Sequence, residues 1–357
     1  MTIDENIIRS APKVLLHDHL DGGLRPQTIV DLARETGYDG LPTTDPQELR
    51  QVISRGANRN DLVLYLETFA HTVAVMQTRE GLERVAAECA EDLAADGLVY
   101  AEIRFAPELH LDRGLDLQQV VDAVLAGFER GSAGTGLTVR VLCSAMRQQA
   151  SSLQIAELAI ANRDQGVCGF DIAGPEAGYP PSRHLDAFSR CMHEHFHITV
   201  HAGEAFGLPS IAEAIHTCGA ERLGHGVRLI DDIMVNEDGT HTLGTLAAFV
   251  RDTRVALEMC PSSNVHVGAV PSLDQHPVGL MKNLRFRVTV NTDNRLMSDT
   301  TLSHEFALLS STFGWTLNDV RWATVNAMKS AFLPFDERLA LINRVIKPGF
   351  AMLGADG

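Results

Sequence analysis

The segment ITVHAGEAFGLPSIAEAIHTCGAERLGHG, residues 198–226, contains two short apolar runs separated by an amphipathic stretch. Ile198–His201 and Arg222–Gly226 read as strands, because brief apolar runs of this kind belong in a sheet covered on both faces. Ile211–Cys218 carries its apolar residues at helical spacing. Each strand delivers a histidine at or near its end, His201 in the first and His225 in the second.

The same alternation extends in both directions. Further strands are expected at Val14–His17, Val99–Phe105, Thr138–Cys143, Val167–Ile172, Val255–Met259 and Phe286–Asn291. Helices are expected at Glu80–Asp96, stopped by Gly97, and at Leu117–Phe128, Leu153–Arg163, Leu185–Glu194 and Leu243–Val250. The gap after the first strand is long and holds Thr28–Thr36, stopped by Gly37, and Leu62–Met76. It reads as a helical insertion, about 24–97, over one end of the fold. Leu302–Leu309, Leu317–Ser330 and Phe335–Val345 supply closing helices at the C-terminal end. Eight strands alternating with helices predict an α/β fold, a (β/α)8 TIM barrel in one domain spanning 1–357. A doubly wound sheet would usually carry GxGxxG after an early strand, and HLDGGL at 19–24 does not match it.

A chain of 357 residues with 45% hydrophobic content can build such a core. With 46 acidic and 30 basic residues its formal charge is −16, which repels a nucleic-acid backbone. A nucleoside pocket remains compatible, since a pocket can differ from the net charge. No run is long enough to cross a membrane and no leader is legible, so the cytoplasm is the expected address. The six cysteines, at 89, 143, 168, 191, 218 and 260, form no CxxC pattern and read as small core residues. No obligate protein partner is indicated.

In such barrels the active site gathers at the carboxyl ends of the strands. The first strand runs into His17-Asp18-His19. Residues two apart in a strand face the same side, so His17 and His19 converge while Asp18 turns away. The fifth strand ends in HAGEA, giving His201 and Glu204. The sixth gives His225, and the eighth ends in VNTDN, giving Asp293. Alone, each is ordinary; together they are a metal site. Three imidazoles and a carboxylate, His17, His19, His201 and Asp293, suit one catalytic zinc ion with a position left for water. Glu204 is placed to move protons, and His225 to orient or deprotonate the water. Gly174 directly follows the fourth strand, where its backbone can meet a planar ligand. His193-Glu194-His195-Phe196-His197 matches HExxH by letters. It lies where a helix passes into a strand, at the opposite end of the barrel, and reads as structural.

These segments resemble the adenosine deaminase family of metal-dependent amidohydrolases. The likeness covers nearly the whole chain, through HDHLDGG at 17–23, RFAPE at 104–108, DIAGPE at 171–176, HAGEA at 201–205, RLGHG at 222–226, EMCPSSN at 258–264 and NTDN at 291–294. AMRQQ, EAGYPPSRHLDAF and NTDNRLMS are similar to actinobacterial members in particular. The resemblance implies zinc ligands at His17, His19, His201 and Asp293, a proton-shuttling Glu204 and a water-assisting His225. It also implies that Asp21 contacts the 5′-hydroxyl side of a ribose, that Gly174 contacts a purine ring nitrogen, and that His19 also lines the substrate. Many members carry a second aspartate where this chain has Asn294, opposite purine N7. An amide can donate to N7 without first being protonated. Pro175 likewise replaces an acidic residue found in many members.

The expected activity is hydrolytic deamination of adenosine and 2′-deoxyadenosine to inosine and 2′-deoxyinosine. A deaminase of adenine, AMP or a 5′-modified nucleoside is the nearest alternative. A non-catalytic metal-binding protein on the same scaffold is the alternative of a different class.

Overall fold

The computed structural model describes residues 2–355. Its strands are β1 (Lys13–His19), β2 (Leu98–Phe105), β3 (Thr138–Met146), β4 (Val167–Ala173), β5 (His197–Ala202), β6 (Arg222–His225), β7 (Ile233–Val235), β8 (His241–Leu243), β9 (Ala256–Met259) and β10 (Arg287–Val290). Eight of them form one parallel sheet in the order β1-β2-β3-β4-β5-β6-β9-β10. This is the expected barrel, and all eight expected strands are present. Most valines, isoleucines and leucines on the eight barrel strands are buried, and the charged side chains of Glu102, Arg104, Asp171, Arg222 and Glu258 are buried inside the barrel as well.

Closure between β10 and β1 is made just beyond the end of β10. Asp293 N–H donates to His17 O at 3.0 Å, and His19 N–H donates to Asp293 O at 2.7 Å. Leu16 N–H donates to the Asn291 side chain at 3.0 Å. The bonds that close the barrel therefore also fix Asp293 between the two histidines of β1.

Between β1 and β2 the chain forms five helices: Pro26–Thr36, Pro46–Ala57, Leu62–Glu67, Phe69–Val75 and Arg79–Ala95. The expected helix over Leu62–Met76 is in fact two, broken at Thr68, whose hydroxyl donates to Tyr65 O at 2.6 Å. The Pro46–Ala57 helix was not expected, although Asp45 caps it and Pro46 opens it. Leu243 belongs to the β7–β8 hairpin, so the expected Leu243–Val250 helix starts later, at Thr245. Short helices at Pro261–His266 and Val278–Asn283 also escaped the sequence pattern. Among the described residues, no helix is long and apolar enough to cross a membrane.

Candidate active site

His17, His19, His201 and Asp293 come together at the carboxyl end of the barrel, with one ligand atom from each lying within 4.8 Å of the others. Each position follows from its strand. His17 and His19 share a face of β1, His201 sits near the end of β5, and Asp293 sits in the closing segment after β10. Asp18 faces away, accepting from Thr292 Oγ1 at 2.7 Å and pairing with Arg295 at 3.1 Å. Gly224 on β6 gives the room: a Cβ there would lie 3.1 Å from His17 Cε1 and 3.1 Å from His201 Cα.

The hydrogen bonds around the cluster decide where its protons are. His17 Nδ1–H donates to Glu258 at 2.9 Å, so His17 Nε2 presents a lone pair. That atom is buried without a hydrogen-bond partner and lies 3.2 Å from Asp293 Oδ1. His201 Nδ1–H is shared by Asp171 at 3.1 Å and Ile172 O at 3.0 Å, so its Nε2 is also a lone pair. His201 Nε2 lies 3.2 Å from His19 Nε2. Burial holds the pKa of His19 well below the usual histidine value and that of His201 below it, which keeps both rings neutral. Lone pairs and a carboxylate packed this closely repel one another unless a cation lies among them. The donor set therefore fits a divalent metal. His17, His225, Cys260 and Asp293 form an overlapping group. There, burial pushes the Cys260 thiol well above its usual range.

A buried ionic lattice supports the cluster from inside the barrel. Arg104 contacts Glu258 at 2.8 Å and Asp171 at 3.3 Å, and Arg222 contacts Glu258 and Glu102, both at 2.6 Å. Each carboxylate that orients a histidine is thus held by an arginine. Removing one member of such a lattice leaves a buried charge unpaired, at a cost of about 3–5 kcal/mol.

Glu204 and His225 flank the cluster and are joined by Asn264. The Asn264 carbonyl accepts from Cys260 N–H at 3.2 Å and from His276 Nε2 at 3.2 Å. His276 Nδ1 accepts from Val278 N–H at 3.1 Å, so its Nε2 carries the proton. The Asn264 NH2 is thereby fixed toward Glu204 Oε1 at 3.1 Å and His225 Nδ1 at 3.0 Å. A His225 that accepts at Nδ1 carries its proton on Nε2. Burial lowers the His225 pKa well below the usual range, so the ring is neutral. Burial, followed by the charges of Asp293 and Glu176, pushes Glu204 well above the usual carboxylate range. His225 and Asp293 adopt left-handed backbone conformations, φ 68° and 60°, which are uncommon for non-glycine residues.

Glu176 builds the loop that carries Glu204. Its carboxylate accepts from the N–H groups of Gly203, Glu204, Ala205 and Phe206 at 2.6–3.0 Å, and from Ser210 Oγ at 2.6 Å. Glu176→Ala strands these donors. Stability is expected to fall by about 3 kcal/mol, read as a lower denaturant midpoint with an unchanged slope. A midpoint like that of wild type would show that the loop does not depend on Glu176.

Asp21, Gly174 and Asn294 line the same cavity, of about 220 Å3, together with His19, His201, Glu204, His225 and Asp293. Its outer wall is apolar and includes Leu62, Tyr65, Leu66 and Phe69 from the helices that follow β1. Among the described residues, no lysine or arginine lines it. Asp21 Oδ1 and Asn294 Oδ1 are buried without hydrogen-bond partners. Gly174 has φ 103°, and a Cβ there would lie 2.7 Å from the Gln148 side chain. The HExxH match lies elsewhere, as expected: His197 begins β5, pairs with Glu221 at 2.9 Å and stacks on Phe332.

Sequence reasoning missed Asp171, Glu176, Glu258, Ser263 and Asn264. Ser263 Oγ donates to Asp293 Oδ2 at 2.5 Å. Asp171 and Glu258 did leave a signal, since each is a lone carboxylate inside a strand buried on both faces.

A sequence profile of the adenosine deaminase family matches residues 12–348. A protein named adenosine deaminase 1 from Streptomyces coelicolor is 63% identical over 354 residues, covering 98% of this chain and 89% of that one. One named adenosine deaminase from Mycobacteroides abscessus is 62% identical over 351 residues, covering 97% of each chain. Among solved structures, an adenine deaminase from Arthrobacter aurescens has a TM-score of 0.84 at 26% identity, covering 94% of this chain and 98% of that one. An amidohydrolase from Burkholderia ambifaria, solved with bound zinc, has a TM-score of 0.85 at 25% identity, covering 99% of this chain and 95% of that one.

Proposed function

Because the chain belongs to the adenosine deaminase family, we propose that it hydrolyses adenosine and 2′-deoxyadenosine to inosine and 2′-deoxyinosine, releasing ammonia. One zinc ion per chain would be held by His17, His19, His201 and Asp293. The reading rests on the convergence of His17, His19, His201 and the Asp293 carboxylate on one point, with the buried Glu204 lining the same cavity. Zinc in this donor set also agrees with the metal in the Burkholderia amidohydrolase. Six free cysteines fit a reducing compartment, the cytoplasm.

When bound, zinc makes water a nucleophile near neutral pH. The chain's own residues do the rest. Glu204, kept protonated by its burial, gives its proton to purine N1 and makes C6 electrophilic. His225 directs Nε2–H at the oxygen that adds to C6, and Asn264 holds both groups in register. Glu204, now a carboxylate, takes the proton of the hydroxyl added at C6 and passes it to the departing amine, and ammonia leaves from the tetrahedral C6. Gly174 lines the cavity beside the purine. Asn294, with its amide turned to present NH2, donates to N7.

Asp21 accepts from the ribose 5′-hydroxyl through its unpartnered oxygen. Burial pushes the Asp21 carboxyl up to about 7, so above neutral pH it is ionised and repels a 5′-phosphate, and among the described residues no lysine or arginine lines the cavity to offset it. Asp21→Ala is expected to cut kcat/KM for adenosine by about 10- to 100-fold, the worth of one hydrogen bond to a charged group, and to leave 5′-deoxyadenosine nearly unaffected. Equal losses on both substrates would remove Asp21 from this contact.

A panel of adenosine, adenine, AMP and 5′-modified nucleosides, followed by purine absorbance, tests the substrate assignment. Adenosine is expected to have the highest kcat/KM, and adenine or AMP in first place would overturn the assignment.

A further inference from the structure

We infer that the amino-terminal end of the barrel carries a second ligand site, for a phosphate-bearing small anion, in a cleft of about 660 Å3. The cleft is walled by residues that open strands: Val167 of β4, His197 of β5, Arg222 of β6, Ala256 of β9 and Arg287 of β10. The metal cluster and Glu204 gather at the opposite, carboxyl end of the barrel, so the two sites do not overlap.

The charge of the cleft runs against that of the chain. In a protein of formal charge −16, this one cleft collects Arg140, Arg163, Arg254, Arg287, Lys329 and Arg338. The carboxylates that share it are Asp164, Glu221 and Glu337, and Glu221 is already paired with His197 at 2.9 Å. Arg163 reaches Glu194 at 3.8 Å. The other five cations form no ion pair among the described residues. Two of them are held by backbone carbonyls: Arg254 Nη1 donates to Arg285 O at 2.5 Å, and Arg338 Nη1 donates to Lys329 O at 2.6 Å. The Nε atoms of Arg287 and Arg338 are buried with no hydrogen-bond partner among the described residues.

Unpaired guanidinium groups held this close repel one another. Burial and the charges of Arg254 and Arg338 lower the Arg287 pKa accordingly. An anion relieves the repulsion, and arginine's planar fork matches phosphate oxygens two at a time. Phe332 lines the cleft beneath Arg222, whose guanidinium sits 3.6 Å from the ring centroid. Phe335 also lines it and is 68% exposed, offering a free aromatic face beside the cations. Inorganic phosphate, pyrophosphate and a nucleoside triphosphate share the chemistry the arginines would recognise, and only the last can also use Phe335.

The test is isothermal titration of the zinc-loaded full chain with inorganic phosphate, pyrophosphate and ATP, each at matched ionic strength in potassium chloride. Saturable binding of at least one is expected, weakened about tenfold or more by Arg287→Ala and by Arg338→Ala, with adenosine turnover unchanged. ATP binding more tightly than pyrophosphate would assign the site to a nucleotide, and equal affinities to the free anion. Arg338→Ala lies on an outer helix and keeps the test valid should Arg287→Ala fail to fold. The proposal is overturned if none of the three saturates, if chloride alone reproduces the heats, or if Arg338→Ala binds as wild type does.

Discussion

Glu204→Gln is expected to retain zinc and to lower adenosine turnover by about 10²–10⁴-fold. The glutamine preserves the shape of the side chain and can still accept from Asn264, which donates to Glu204 Oε1 at 3.1 Å. The four loop N–H groups held by Glu176 are untouched, so the position of residue 204 is preserved. What is lost is a proton that can leave for N1 and return to the departing amine. The loss should fall on kcat more than on KM, because proton transfer stabilises the transition state and not the bound nucleoside. Steady-state kinetics beside elemental analysis would check both halves. Turnover within about tenfold of wild type, at full zinc content, would remove Glu204 from the proton-transfer role.

Asp293→Asn is expected to act on the metal itself. Asp293 is the only anionic member of the proposed ligand set, and the three imidazoles are neutral donors. Asparagine tolerates the left-handed backbone that residue 293 adopts, φ 60°, so the substitution removes charge without forcing the chain. It can also still accept from Ser263. The fall in zinc affinity should exceed the roughly 10- to 100-fold that follows loss of a ligand's own hydrogen-bond partner. At stoichiometric zinc the variant should be nearly inactive, with activity recovering partly as zinc is raised. An unchanged affinity would mean that the metal lies elsewhere, and the group containing His225 and Cys260 would become the candidate.

How much of this was legible in the sequence depended on where each side chain points. The eight barrel strands were legible as short apolar runs alternating with amphipathic stretches, although buried charged residues such as Arg104, Asp171 and Glu258 sit among them. Their ends were legible because His17, His19, His201, His225 and Asp293 interrupt that pattern abruptly. The β7–β8 hairpin was not. It is short and exposed, with Met234 and Val235 largely in solvent, so no burial pattern marks it. The Pro46–Ala57 helix was missed for a different reason. Its opening signals, Asp45 and Pro46, were present, but its apolar residues are few, only Leu49, Ile53 and Ala57 being buried. Asp171, Glu258 and Arg104 sit inside strands and bond across the barrel, from β2 to β4 and β9. No local pattern reports a partner that is 67 or 154 residues away. Asn264 is the extreme case: its role depends on Cys260, His276, His225 and Glu204 meeting at one amide.

The most direct test of the central claim is a zinc titration of metal-stripped protein, with ammonia release from adenosine as the readout. The expected curve rises linearly from near zero and breaks sharply at one zinc per chain. Full activity in the stripped protein, or a break at two zinc ions, would contradict a single catalytic zinc held by His17, His19, His201 and Asp293.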